Sequence, residues 1–87
     1  MPNLLNEINI SYTEVIILDK ITAHMAGRII DLKVNEGDTV SEGQTVIVLE
    51  SMKMEMPITA SISGTVKEVN CVTGDAVDIG AVLMEIL

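Results

Sequence analysis

Eighty-seven residues make one small domain and leave no room for a second. One tyrosine, with no phenylalanine or tryptophan, means that any core is built from Ile, Val, Leu and Met. Five basic against thirteen acidic residues give a formal charge of −8, which argues against binding to nucleic acid or anionic membrane and is compatible with a basic surface on a partner protein.

Residues 1–20 read as an N-terminal leader or edge strand. Asn3, Asn6 and Asn9 make the start polar, and residues 13–18 form a short β-branched run. The start lacks the basic and long apolar segments of a signal peptide. No apolar run exceeds four residues, as in 15–18 and 46–49, so none spans a bilayer. Cys71 stands alone and excludes an internal disulfide, which suits a reducing compartment. Cytoplasm is the expected location, with no membrane insertion.

Residues 21–50 and 58–87 are two copies of one pattern, aligned without a gap at an offset of 37 residues. Eight of the 30 positions are identical, and all six glycines fall into the matched pairs Gly27/Gly64, Gly37/Gly74 and Gly43/Gly80. Residues 35–38 and 72–75 read as turns, because glycine accepts positive φ and aspartate tolerates turn geometry. Residues 41–43 and 78–80 are a second matched pair of turns. The apolar series Ile29, Leu32, Val34 and its match Val66, Val69, Cys71 shift phase by one residue, which predicts a bulge after Gly27 and after Gly64. No stretch of twelve residues carries a helical period. The chain is therefore expected to be all-β: a flattened antiparallel β-barrel-sandwich of two pseudo-twofold-related units. The link between the units is expected at one end of the axis and the chain termini at the other. Lys53, in that link, then projects from the end opposite the termini.

The link reads Glu50-Ser51-Met52-Lys53-Met54-Glu55-Met56-Pro57. An extended or hairpin conformation puts Met52, Met54 and Met56 on one side, with Lys53 and Glu55 on the other. Most lysines are merely solvated. Here the join of a duplication makes this one unique and distal, and methionine is a soft contact surface for a partner.

Glu50-Ser51-Met52-Lys53-Met54-Glu55 resembles the biotin-attachment motif of the biotinyl domains, whose core is Ala/Ser-Met-Lys-Met. The Gly-Asp-x-Val turns and the duplicated units are likewise similar to the biotinyl/lipoyl family, over residues 21–87. The resemblance implies a barrel-sandwich hybrid with biotin joined by an amide to Lys53, placed there by a biotin protein ligase. It implies that Met52 and Met54 flank the lysine for recognition, with Glu50, Ser51 and Glu55 as hairpin context. It further implies a non-catalytic carrier in which carboxylated biotin takes CO2 from a biotin carboxylase to a carboxyltransferase, in a carboxylase or decarboxylase. His24 stands where many members have proline, and Met56 where a polar residue is more usual. No insertion between Val34 and Val46 forms a protruding thumb, so the chain looks like the thumbless carriers.

Two rivals share the scaffold or the residues. A lipoyl carrier of a 2-oxoacid dehydrogenase or glycine cleavage system uses the same display, but its lysine usually has a non-methionine context. A small catalytic domain would have to use His24 and Cys71, the lone histidine and lone cysteine. Cys71 aligns with Val34 and reads as core, and no acidic spacing suggests a metal site.

Overall fold

The structure is a computed structural model and describes residues 18–87. Most of the leader therefore lies outside the described residues, including the β-branched run at 13–17. Eight strands follow in order: β1 (Asp19–Thr22), β2 (Gly27–Leu32), β3 (Thr39–Val40), β4 (Thr45–Ser51), β5 (Met54–Thr59), β6 (Gly64–Val69), β7 (Ala76–Val77) and β8 (Val82–Ile86). They form two antiparallel sheets, ordered β1-β8-β6-β3 and β5-β4-β2-β7. The described residues form no helix, and no helix long and apolar enough to cross a membrane occurs among them. The all-β reading holds.

Each sheet takes two strands from each unit. Adding 37 to the residue numbers converts β2 into β6 and β3 into β7, and overlays β1 on β5 and β4 on β8. The same operation turns one sheet order into the other. Hydrogen bonds repeat under it as well. The amide of Ile29 donates to Asp75 O and that of Val66 to Asp38 O, both at 2.8 Å. The turn of each unit is thus pinned to a strand of the other, so neither unit can close its fold alone.

The paired Gly-Asp signatures have a local cause. Gly37 and Gly74 adopt φ of 90° and 99°, which an L side chain rarely accepts. The following aspartate closes each turn: Asp38 Oδ2 accepts from the Asn35 amide at 2.8 Å, and Asp75 Oδ2 from the Val72 amide at 2.9 Å. The predicted bulges are present too. The β2–β4 register shifts between Ile29 and Asp31, and the β6–β8 register between Val66 and Glu68. One extra residue in each strand moves the apolar series from one face to the other, which explains the phase shift in the sequence.

Seven matched pairs supply fourteen of the fifteen buried apolar residues: Ile21/Ile58, Ala23/Ala60, Ile29/Val66, Val34/Cys71, Val46/Leu83, Ile47/Met84 and Leu49/Ile86. Val40 is the fifteenth. Burial is preserved where identity is not. This fits a packed core, which tolerates apolar exchange of similar total volume.

The axis runs differently from the expectation. The rung Asp19–Ile86 of the β1–β8 pair matches the rung Met56–Leu49 of the β5–β4 pair. The twofold therefore exchanges the β4–β5 hairpin end with the end where β1 begins and β8 finishes. Exchanged points lie on opposite sides of an axis, not along it. Lys53 still projects away from that second end, but for this reason. A shallow cavity of about 240 Å³ brings together the matched pairs Ile21/Ile58, Thr22/Thr59 and His24/Ser61, where the edge strands β1 and β5 approach each other.

Cys71 is core. It is 5% exposed, its Sγ lies 3.8 Å from Leu83 O, and burial, followed by the charge of Asp75, pushes the thiol pKa up. A neutral, enclosed thiol is a poor nucleophile. Cys71→Val is expected to shift stability by less than about 1.5 kcal/mol, whereas Cys71→Asp buries a charge and unfolds the domain. Thermal unfolding followed by circular dichroism checks both. Rapid alkylation of native Cys71 by iodoacetamide contradicts the assignment.

Candidate functional site

Strands β4 and β5 pair out to Ser51–Met54, which leaves only Met52 and Lys53 to turn the chain. Both have positive φ, 53° and 64°. Two such residues in a two-residue loop are the pattern of a type I′ hairpin, whose twist matches that of the flanking strands. Asn-Gly is the usual choice there, because a left-handed conformation costs other residues about 1–2 kcal/mol each. Met-Lys is thus a poor pair of residues for folding this turn. Strain of this kind gathers where a side chain is retained for its chemistry.

The turn sets what each residue presents. Lys53 is exposed, and no hydrogen bond or ion pair joins its amine to another described residue; the ion pair found among them is Lys33–Asp31, at 2.9 Å and on the surface. Met52 is 92% and Met54 65% exposed. Along β5 exposure falls from Met54 through half-buried Met56 to buried Ile58. On β4 it falls from half-buried Ser51 to buried Leu49 and Ile47. One face of the hairpin is therefore an apolar ramp rising from the core to the tip.

The predicted alternation of three methionines survives only for Met54 and Met56, with Glu55 on the opposite face. Met52 leaves the series because it is in the turn. Glu50 and Glu55 face each other across the hairpin, and Arg28 is the register partner of Glu50 on the other side. This row, Arg28–Glu50–Glu55, sets a guanidinium and two carboxylates across three strands, one rung below the Ser51–Met54 pair that closes the turn. Arg28 was not among the residues singled out from the sequence, since only strand register links it to the tip. Gly27 was seen only as half of a matched pair. It lets β2 pass close to the carbonyl of Glu50, where a Cβ has no room.

The structure does not gather the residues of the catalytic rival. His24 is exposed in the β1–β2 loop and lines the shallow cavity, while Cys71 is enclosed and does not line it. Among the described residues no three His, Cys, Asp or Glu side chains are grouped to hold a metal ion.

Comparison with known proteins agrees with this geometry. The family model described as "Biotin-requiring enzyme" matches residues 19–86. The chain is 48% identical over 66 residues to the biotin/lipoyl attachment protein of Bacillus subtilis (strain 168), covering 76% of this chain and 90% of that protein. It is 45% identical over 62 residues to the mitochondrial propionyl-CoA carboxylase alpha chain of Homo sapiens, covering 71% of this chain but 8% of that one. Among solved structures, the urea carboxylase of Kluyveromyces lactis contains a region with a TM-score of 0.77 and 30% identity, covering 83% of this chain and 6% of that chain.

Proposed function

The chain belongs to the biotin/lipoyl attachment family, and from that premise we propose that it is a biotin carboxyl carrier domain with biotin held as an amide on Lys53. The observation that carries this reading is the two-residue turn that holds an exposed amine, unengaged by any other described residue, between two exposed methionines. The residues fit a covalently carried group: Lys53 Nζ is the attachment atom, and the tip around it is open.

Once bound, biotin supplies a ring nitrogen that accepts CO2 as a carboxyl group and releases it. The protein contributes position and reach. A lysine stem plus a valeryl chain is a jointed arm about 10–15 Å long by bond counting. Tethering replaces free diffusion with a high effective concentration at each active site in turn. The domain carries CO2 between a biotin carboxylase and a carboxyltransferase and catalyses neither step itself. This is supported by its likeness to carboxylase chains and by the enclosure of its only thiol. A cytoplasmic setting fits the lone cysteine. Amide formation needs a neutral amine, and a biotin protein ligase can provide the base, so the domain need not alter its lysine. A lipoyl cargo would use the same hairpin, but Met52 and Met54 favour biotin.

Incubation with a biotin protein ligase and biotin is expected to add one biotin, at Lys53 and not at Lys20, Lys33 or Lys67. Intact mass with peptide mapping reads this out. Lipoate on Lys53 in protein from its native host, or no avidin binding after ligase treatment, overturns the proposal.

A further inference from the structure

The two halves of the domain have nearly the same backbone but different surfaces. Among the described residues seven large apolar side chains are exposed: Met25, Met52, Met54, Val72, Ile79, Val82 and Leu87. All but Leu87 lie on the lysine-bearing side of the twofold. Met52 and Met54 are at the tip. Met25 precedes Gly27, which packs on Glu50. The turn carrying Ile79 is tied to the same loop, since the Gly80 amide donates to Ala23 O at 2.9 Å. Val82 begins β8 opposite Thr22, and the turn after Val72 is bonded to Ile29 of β2.

Three of the matched positions on the other side are polar, whereas Met25 matches half-buried Ile62. Val72, Ile79 and Val82 correspond to Asn35, Glu42 and Thr45. The same turns and strand starts therefore form with either set, and folding does not require the apolar one. Ile79 is 71% and Val72 61% exposed. On the same side the exposed carboxylates of Glu50, Glu55 and Asp78 outnumber the exposed guanidinium of Arg28, which leaves an acidic rim.

We propose that the lysine-bearing half is a docking surface extending beyond the hairpin to Val72, Ile79 and Val82, and that its occupant is the biotin protein ligase, through an apolar cleft rimmed by basic side chains. This rests on the carrier reading above. Reach selects the occupant. The ligase acts at Nζ, only about 6 Å from the Lys53 Cα, so it must press against the protein around the tip. Enzymes that act on the ring work at the far end of the arm and can stand off. A stable interface takes about 800 Å² from each partner, or roughly 20–30 residues, which is more than the four residues of the tip provide. The acidic rim selects a basic partner and an apolar centre supplies the contact.

The internal duplication supplies the test. The triple variant Val72→Asn, Ile79→Glu, Val82→Thr copies the residues that the other half already carries, so it is expected to keep the wild-type melting temperature. In the ligase reaction its KM as substrate should rise about tenfold or more with kcat unchanged, which is the signature of lost binding shared by the ground and transition states. Using Ile79→Gln in place of Ile79→Glu separates lost apolar contact from added charge and should retain most of the effect. The reciprocal variant Asn35→Val, Glu42→Ile, Thr45→Val should leave KM unchanged. A triple-variant KM within twofold of wild type overturns the docking surface, as does an equal rise from the reciprocal set. A rise confined to the carboxylase or carboxyltransferase reactions, with normal loading, overturns the ligase as occupant. Failure of the wild-type domain to accept biotin is a different result, since it removes the carrier reading itself.

Discussion

Replacing Lys53 with arginine is expected to leave thermal unfolding unchanged and to abolish biotin attachment completely. The side chain is exposed at the hairpin tip, and an exposed substitution away from packed or capped positions shifts stability by no more than about 0.5 kcal/mol. Backbone strain does not separate the two residues. At φ of 64° both are L residues with an unbranched stem, so the turn costs each the same. Chemistry separates them. The guanidinium stays protonated and delocalised, with no lone pair to attack an activated carboxyl. Ligase treatment followed by intact mass should show no added group, and partner enzymes should transfer no carboxyl group. Far-UV circular dichroism is the control for folding, because the lone Tyr12 gives little near-UV signal. Wild-type transfer by Lys53→Arg would place the arm elsewhere. Unfolding of the variant would mean that the lysine stem supports the turn.

The sequence revealed those parts of this fold that are written twice. Gly37/Gly74 and Asp38/Asp75 announce their turns because positive φ and a carboxylate that closes the turn have few substitutes. The bulges at Ile29 and Val66 were legible as a break in apolar phase. The interleaving of the sheets was not, since a repeat states that two units are alike and not which strands pair. The direction of the axis was hidden for the same reason. At the tip, Met52 and Lys53 have side chains that disfavour the φ values they adopt, so propensity pointed away from a two-residue turn and toward simple alternation. Arg28 reaches the site only through strand register, which residue types on a two-sided sheet specify weakly. The apolar half was not read from the sequence, where 41–43 and 78–80 were only matched turns; Ile79 against Glu42 becomes a surface once both are known to be exposed.

Those features meet in one residue beside the attachment site. Gly27→Ala is expected to lower stability by about 2–3 kcal/mol, at the upper end of what overpacking costs. In a domain of this size that is a fall of about 10–20 °C in melting temperature. Its φ is not in the left-handed region, so the demand is for space. A Cβ there falls inside van der Waals contact of the Glu50 carbonyl and within 3.2 Å of Leu49 Cδ1. Both neighbours are fixed, since Leu49 is 1% exposed and Glu50 is held in the sheet between β2 and β5. Gly64→Ala makes the twofold-related clash with Leu87 O and should cost a similar amount. The two differ in what moves. Displacing Glu50 shifts β4 one residue before it ends at Ser51, and three before Lys53 in the turn, whereas displacing Leu87 disturbs the far side of the axis. Below both melting temperatures, Gly27→Ala should therefore accept biotin from the ligase several-fold more slowly than wild type, and Gly64→Ala at the wild-type rate. Equal loading by the two variants would show that the hairpin absorbs the shift before it reaches the tip. A melting temperature within about 3 °C of wild type for Gly27→Ala would show that β2 and β4 can part without loss, and that the matched glycines are not there to let the strands approach.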